Sequence, residues 1–193
     1  MIRIKNKNQL IENAETPLLK KARIITLNCI EEALNAADPK RLLKSKVVLE
    51  RSCLRVNGVS FDLKSFGHVY VVGGGKAGSS MAEALEELLG EYLTSGIVNV
   101  PKGSWEKTKK IELIEAGHPT PDHAGLEGTL RIMAIAERAK ENDLVICLLS
   151  GGGSSLMSLP RENITFEDKQ ELTKALLKSG AAISEINIVR KHL

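Results

Sequence analysis

Lys76 stands among small residues in VYVVGGGKAGSSM, residues 69–81, where an apolar run gives way to Gly73, Gly74 and Gly75 and then to a segment of helical periodicity. A cation in the first turn of a helix faces the positive end of the helix dipole, an unfavourable arrangement unless an anion compensates. A phosphate bound there reverses the sign. A second loop of related composition occurs in LLSGGGSSLMSLP, residues 148–160, where Ser150, Ser154 and Ser155 bracket Gly151, Gly152 and Gly153. Successive glycine amides curl into anion-binding nests, and the flanking hydroxyls add hydrogen-bond donors. The chemistry offered is therefore capture of phosphate or carboxylate, with Lys76 neutralising charge on it. A lysine extended into solvent and two tight turns are the competing readings.

Other motifs narrow the choice. Gly73, Gly75 and Gly78 fit G-x-G-x-x-G between strand-like and helical segments, as a dinucleotide fingerprint requires. The acidic residue that grips a ribose at the end of the next strand is missing, because GIVNVPKG runs through Val100 and Pro101 to Lys102. NAD is disfavoured, and an NADP reading through Lys102 remains. No G-x-x-x-x-G-K-[ST] run occurs. In EAGHPTPDHAG, His118, Asp122 and His123 are candidate metal ligands, yet two prolines impose an extended turn and Asp122 suits the N-cap of the following helix. The structural role is preferred and no metal ligand is assigned. Cys147, inside an apolar run, is expected to be packed core rather than a nucleophile.

The elements that must position these residues follow from periodicity. From residue 68 onward, strand and helix alternate: HVYVV, a helix over 76–89, GIVNV, IELIEAG, a helix over 124–140, and DLVICLLS. Strands rich in Val and Ile alternating with helices predict an α/β fold, a three-layer Rossmann-like domain with a largely parallel sheet and helices on both faces. Both glycine loops then lie at carboxyl ends of strands, the edge where open α/β sheets bind ligands. Residues 1–60 read as a helical amino-terminal extension, with helices over 17–37 and 40–46 and an Asn-Gly hairpin signal in RVNGVSFDL, and residues 61–193 read as the α/β core. Thr165 and Asp168 predict an N-cap pair for a helix ending at Gly180. The last helix, entered near residue 184, meets no C-cap glycine before Leu193, so a chain truncated at its carboxy end is expected. Its terminus would be mobile or buried against another copy of the chain, as in a homo-oligomer.

Composition excludes several classes. Hydrophobic residues make up 42% of 193, enough for a substantial core, and 27 Lys+Arg against 24 Asp+Glu leave a net charge of +3. With 3% aromatics and no basic run among them, a nucleic-acid platform has little support. Three cysteines, far apart, indicate neither a disulfide framework nor a CxxC metal site, which fits a reducing cytoplasm. LVICLL is too short to cross a bilayer and MIRIKNKNQL lacks a signal-peptide core, so no membrane association is expected.

VVGGGKAG, EAGHPTPDHAG, LLSGGGSSL and INIVRKHL, in this order and spacing, resemble the glycerate 2-kinases whose second half is called the MOFRL domain, some of which are labelled hydroxypyruvate reductases. The resemblance covers about residues 17–193 and only the amino-terminal domain of that family. It implies ATP-dependent phosphorylation of D-glycerate to 2-phosphoglycerate with Mg²⁺, in a cleft between this domain and a missing carboxy-terminal one. It also implies a catalytic role for Lys76. On that reading Gly74, Gly75, Ser150, Gly151, Gly152, Gly153, Ser154 and Ser155 hold substrate or nucleotide oxygens, and Arg190 clamps the glycerate carboxylate as a bidentate partner. Arg190, Lys191 and His192 also suit the end of a helix for dipole reasons alone. The family often has alanine where Ser155 stands, and the serine and lysine-glycine run that follows RKHL is absent here. This chain alone is expected to be inactive. An NADP-dependent hydroxypyruvate reductase and a non-catalytic anion-binding module are the alternative functions.

Overall fold

The computed structural model describes residues 2–104 and 106–193. Three helices open the chain, α1 (Lys7–Glu12), α2 (Pro17–Ala36) and α3 (Pro39–Lys46). The starts of α2 and α3 are written in the sequence. Thr16 and Asp38 accept hydrogen bonds from Leu19 N and Arg41 N, and a proline with preset φ occupies the first helical position after each cap. Next come β1 (Val47–Glu50), β2 (Cys53–Val56) and β3 (Val59–Asp62), a small antiparallel sheet in the order β1-β2-β3. Its β2–β3 turn is the expected Asn-Gly pair, with Asn57 and Gly58 both at positive φ (47° and 86°). The amino-terminal extension is thus not purely helical: β1 adds a third strand to the hairpin. Nor is it detached. Leu43, Leu54 and Leu63 are buried in the same cluster as Val69, Val71 and Leu85 of the following unit.

That unit comprises β4 (Val69–Gly74), α4 (Gly78–Leu89), β5 (Ser95–Pro101), β6 (Ile111–Ala116), α5 (His123–Arg138), β7 (Leu144–Leu149), α6 (Gly153–Leu156), α7 (Phe166–Lys178) and α8 (Ile183–Lys191). The strands form one parallel sheet in the order β6-β5-β4-β7. Strand alternation sorts the core onto two faces. Val71, Val98, Val100 and Leu148 pack with Ala82, Leu85 and Leu89 of α4, whereas Tyr70, Val72 and Ile97 pack with Ile132 and Ile135 of α5. The α/β layering with helices on both faces is as the periodicity predicts.

The order of connection matters more for function. From β4 the chain moves one way to β5 and β6, then returns through α5 to place β7 on β4's other side. The loops after β4 and β7 therefore leave adjacent strands in opposite directions, a topological switch point at the carboxyl edge. Among the described residues β7 pairs only with β4. Its outer position leaves Cys147 exposed rather than packed, although partial desolvation still pushes the thiol pKa up, away from a reactive thiolate. α7 begins with the expected capping box of Thr165 and Asp168, and Gly180 follows its end at φ +74°.

Candidate active site

The two glycine loops meet. Lys76 N donates to Gly151 O at 2.8 Å and Ala77 N donates to Ser150 Oγ at 3.1 Å. Gly75 lies so close to the second loop, at φ +148°, that a Cβ there would stand 2.1 Å from Ser150 Oγ. No side chain fits. This approach also explains why α4 starts at Gly78 and not at residue 76: the backbone of Gly75 and Lys76 is committed to β7's loop before it turns helical. Lys76 is consequently just outside the helix, on the exposed surface of the junction, with its Cε 3.6 Å from where a Gly151 Cβ would be. Among the described residues no carboxylate lies within ion-pair distance of its ammonium.

In the second loop, Gly152 takes φ +93° and Gly153 begins α6, a single turn. Among the described residues neither Gly151 N–H nor Gly152 N–H donates to a protein acceptor, as an anion nest requires. The three serines divide. Ser150 Oγ accepts from Ala77 N, and buried Ser155 donates to Pro119 O at 2.7 Å, so both hydroxyls brace the loop internally. Ser154 alone is exposed. Gly74 is buried at the end of β4, where a Cβ would stand 2.5 Å from Met157 Cγ; it supports the loop from beneath. Arg190 reaches the same loop from α8, its Nη2 donating to Ser154 O at 2.8 Å and to Ser155 Oγ at 3.1 Å. Burial pushes its pKa down. The guanidinium thus ties α8 to the loop.

Two further groups shape the site. Asn99, fully buried near the end of β5, donates from Nδ2 to Leu156 O at 2.7 Å and Gly125 O at 2.9 Å, fastening α6 and α5 to the sheet. Sequence reasoning missed it, since an asparagine inside an apolar strand run was its only signal. The segment 117–122 crosses the top of the sheet and closes one side of a cleft of about 570 Å³ lined by Lys76, Lys102, His118 and Asp122. There Asp122 caps α5 through Gly125 N at 3.1 Å and pairs with Lys102 at 3.0 Å. Burial raises its pKa, but hydrogen bonds from Gly117 and Gly125 and the Lys102 ammonium outweigh that and hold the carboxyl below its ordinary value. His123 packs against Phe166 instead of joining a ligand set. Among the described residues no three His, Cys, Asp or Glu side chains gather around a metal-sized space. A larger hollow of about 630 Å³, apolar and lined by Leu42, Leu54, Phe61, Met81 and Ile146, lies under the amino-terminal elements and touches the loops only at Ala77 and Ser150.

The chain with this geometry is similar to known proteins. It is 44% identical over 171 residues to the glycerate 2-kinase of Pyrococcus horikoshii, covering 89% of this chain and 38% of that protein. A putative hydroxypyruvate reductase of Agrobacterium vitis is 44% identical over 127 residues, 66% of this chain and 33% of that one. The crystal structure of a glycerate kinase from Thermotoga maritima superposes with a TM-score of 0.68 at 39% identity, over 86% of this chain and 37% of that chain. The chain thus spans less than two-fifths of each of these relatives. A model of a domain of unknown function, DUF4147, matches residues 25–193, and the chain belongs to that family.

Proposed function

We propose that these residues form one wall of a glycerate 2-kinase site, at which ATP phosphorylates the 2-hydroxyl of D-glycerate, with the other wall supplied by the remainder of such a kinase. The observation that carries this reading is the Lys76 N to Gly151 O junction, which places a lysine without a carboxylate partner beside two glycine amides with no protein acceptor among the described residues. Phosphoryl transfer asks little covalent chemistry of a protein; it needs cations and fixed dipoles around the phosphates and an oriented hydroxyl. Lys76 supplies the cation, and the amides of Gly151 and Gly152, with the Ser154 hydroxyl, supply the dipoles. The glycerate 2-hydroxyl oxygen bonds to the terminal phosphorus as the bond from that phosphorus to the ADP oxygen breaks, and the hydroxyl proton is released to water. Arg190 acts as a positioning residue that holds the loop, rather than as a clamp on the carboxylate.

Magnesium does not fit the donor set of this wall. The carboxylate lining the cleft, Asp122, is engaged by Gly125 N and Lys102, and Mg²⁺ seeks free carboxylates, phosphates and water. No step is assigned to it here. The reductase reading loses its supporting residue, because Lys102 pairs with Asp122 instead of standing free for a ribose phosphate. Among the described residues no helix is long and apolar enough to cross a membrane. A cytoplasmic setting accords with three free cysteines. Separate titrations with ATP and NADPH test the assignment: the kinase reading expects ATP to bind and Lys76→Ala to weaken it, whereas preference for NADPH would overturn it.

A further inference from the structure

We infer that the imidazole of His118 is a second anion-binding group of this site, donating a hydrogen bond to the same phosphate or carboxylate that Lys76 holds. The inference rests on the reading of the glycine loops as an anion site. β6 and β7 are the two outer strands of the sheet, three strand spacings or about 14 Å apart. Yet His118, which follows β6, touches Gly152, which follows β7: a Cβ on Gly152 would meet His118 Cδ2 at 3.0 Å, His118 Nε2 at 3.1 Å and Lys76 Cγ at 3.2 Å. One glycine is therefore the shared neighbour of the lysine stem and the imidazole.

The crossing segment is held without the ring. Pro119 O accepts from Ser155, Pro121 O accepts from Gln170 Nε2 at 2.7 Å, and Asp122 caps α5. Among the described residues neither ring nitrogen of His118 has a protein partner, and the side chain is exposed at the cleft mouth. Packing on a glycine needs only an apolar ring. An imidazole with free nitrogens adds hydrogen-bonding capacity where Lys76 already makes the cleft attractive to anions. The charged groups around it are Lys76, Lys102 and Asp122, the last two paired with each other while Asp122 also accepts from Gly117 N and Gly125 N.

The chain has four histidines, so its imidazole carbon-bound protons can be followed individually by NMR. Inorganic phosphate, ATP and D-glycerate are titrated in separate arms, which distinguishes a phosphoryl oxygen from a carboxylate as the source of the anion. In at least one arm the resonances of His118 and of the Lys76 side chain are expected to move together with one dissociation constant. H118F keeps a packing ring and loses the donor; affinity is expected to fall about tenfold, as for loss of one charge-assisted hydrogen bond. H118Q, which retains a donor, is expected to recover part of that loss. If Lys76 responds while His118 does not, or if H118F binds like the wild type, the assignment of His118 is overturned and the glycine-loop reading stands. If neither residue responds to any of the three, both fall. Should H118F fold poorly, the wild-type titration still decides.

Discussion

Gly152 is constrained twice, by its left-handed backbone and by the His118 ring and Lys76 stem pressed against it. Gly152→Ala is expected to destabilise the chain by about 1–3 kcal/mol, since strain and contact add. Urea denaturation checks it. Lys76→Ala has the opposite profile: the side chain is exposed and unpaired among the described residues, so the unfolding midpoint should stay near wild type while turnover in a complete kinase falls at least about a hundredfold. A well-folded variant with near-native rates would remove Lys76 from catalysis. At this scale the sequence was informative about residue type and less so about role. Glycines around a lone lysine and around serines single out two loops, and the structure brings those loops together. Whether Ser150 offers its hydroxyl to a ligand or accepts from Ala77 depends on a neighbour 73 residues away, which no local pattern encodes.

Two elements are joined at Asn99, and the join is exposed to test. Asn99→Ala leaves Leu156 O without its buried donor and loosens α6, so a loss of about 1–3 kcal/mol is expected, together with weaker ligand binding from a displaced loop. Calorimetric melting and ATP titration measure the two effects. At the start of α5, Asp122 carries a pH signature. Its folded pKa lies below the ordinary value of 3.8, so its contribution to stability is complete above that ordinary value and is lost as pH falls through the folded one. In Asp122→Asn, which preserves a cap, the decline of stability between about pH 5 and pH 2 should be shallower than in the wild type, as followed by urea midpoints. The succession of β and α was legible because Val-rich runs and amphipathic periods are local properties. β1 was not, because VVLE is too short to stand out until β2 pairs with it. The start of α4 was misplaced by two residues for a related reason: the long-range contact of Gly75 with Ser150 overrides helical propensity there.

For the molecule as a whole, two faces of the sheet are covered and the amino-terminal elements share its core, so the 193 residues should fold and melt cooperatively by themselves. Glycerate phosphorylation by this chain alone should nevertheless be undetectable, because on the proposed function the loops furnish one wall only, and misplacing a reacting group by about 1 Å costs roughly a hundredfold in rate. An assay with ATP, Mg²⁺ and D-glycerate, repeated after adding the remaining part of a homologous kinase, checks this; robust turnover without the addition would locate a full active site within these residues.

The outer position of β7 has a colloidal consequence. A strand bonded on one side only among the described residues, carrying Val145 at 36% exposure and Leu149 at 63%, is a growth front to which another sheet can add. Concentrated solutions of the chain should therefore scatter light progressively, with β-rich particles forming while the helices remain folded. Val145→Lys places a charge in the path of the incoming strand and should delay the onset severalfold, leaving the dilute-solution melting curve nearly unchanged. Equal scattering by the two proteins would show that β7 is not the nucleus.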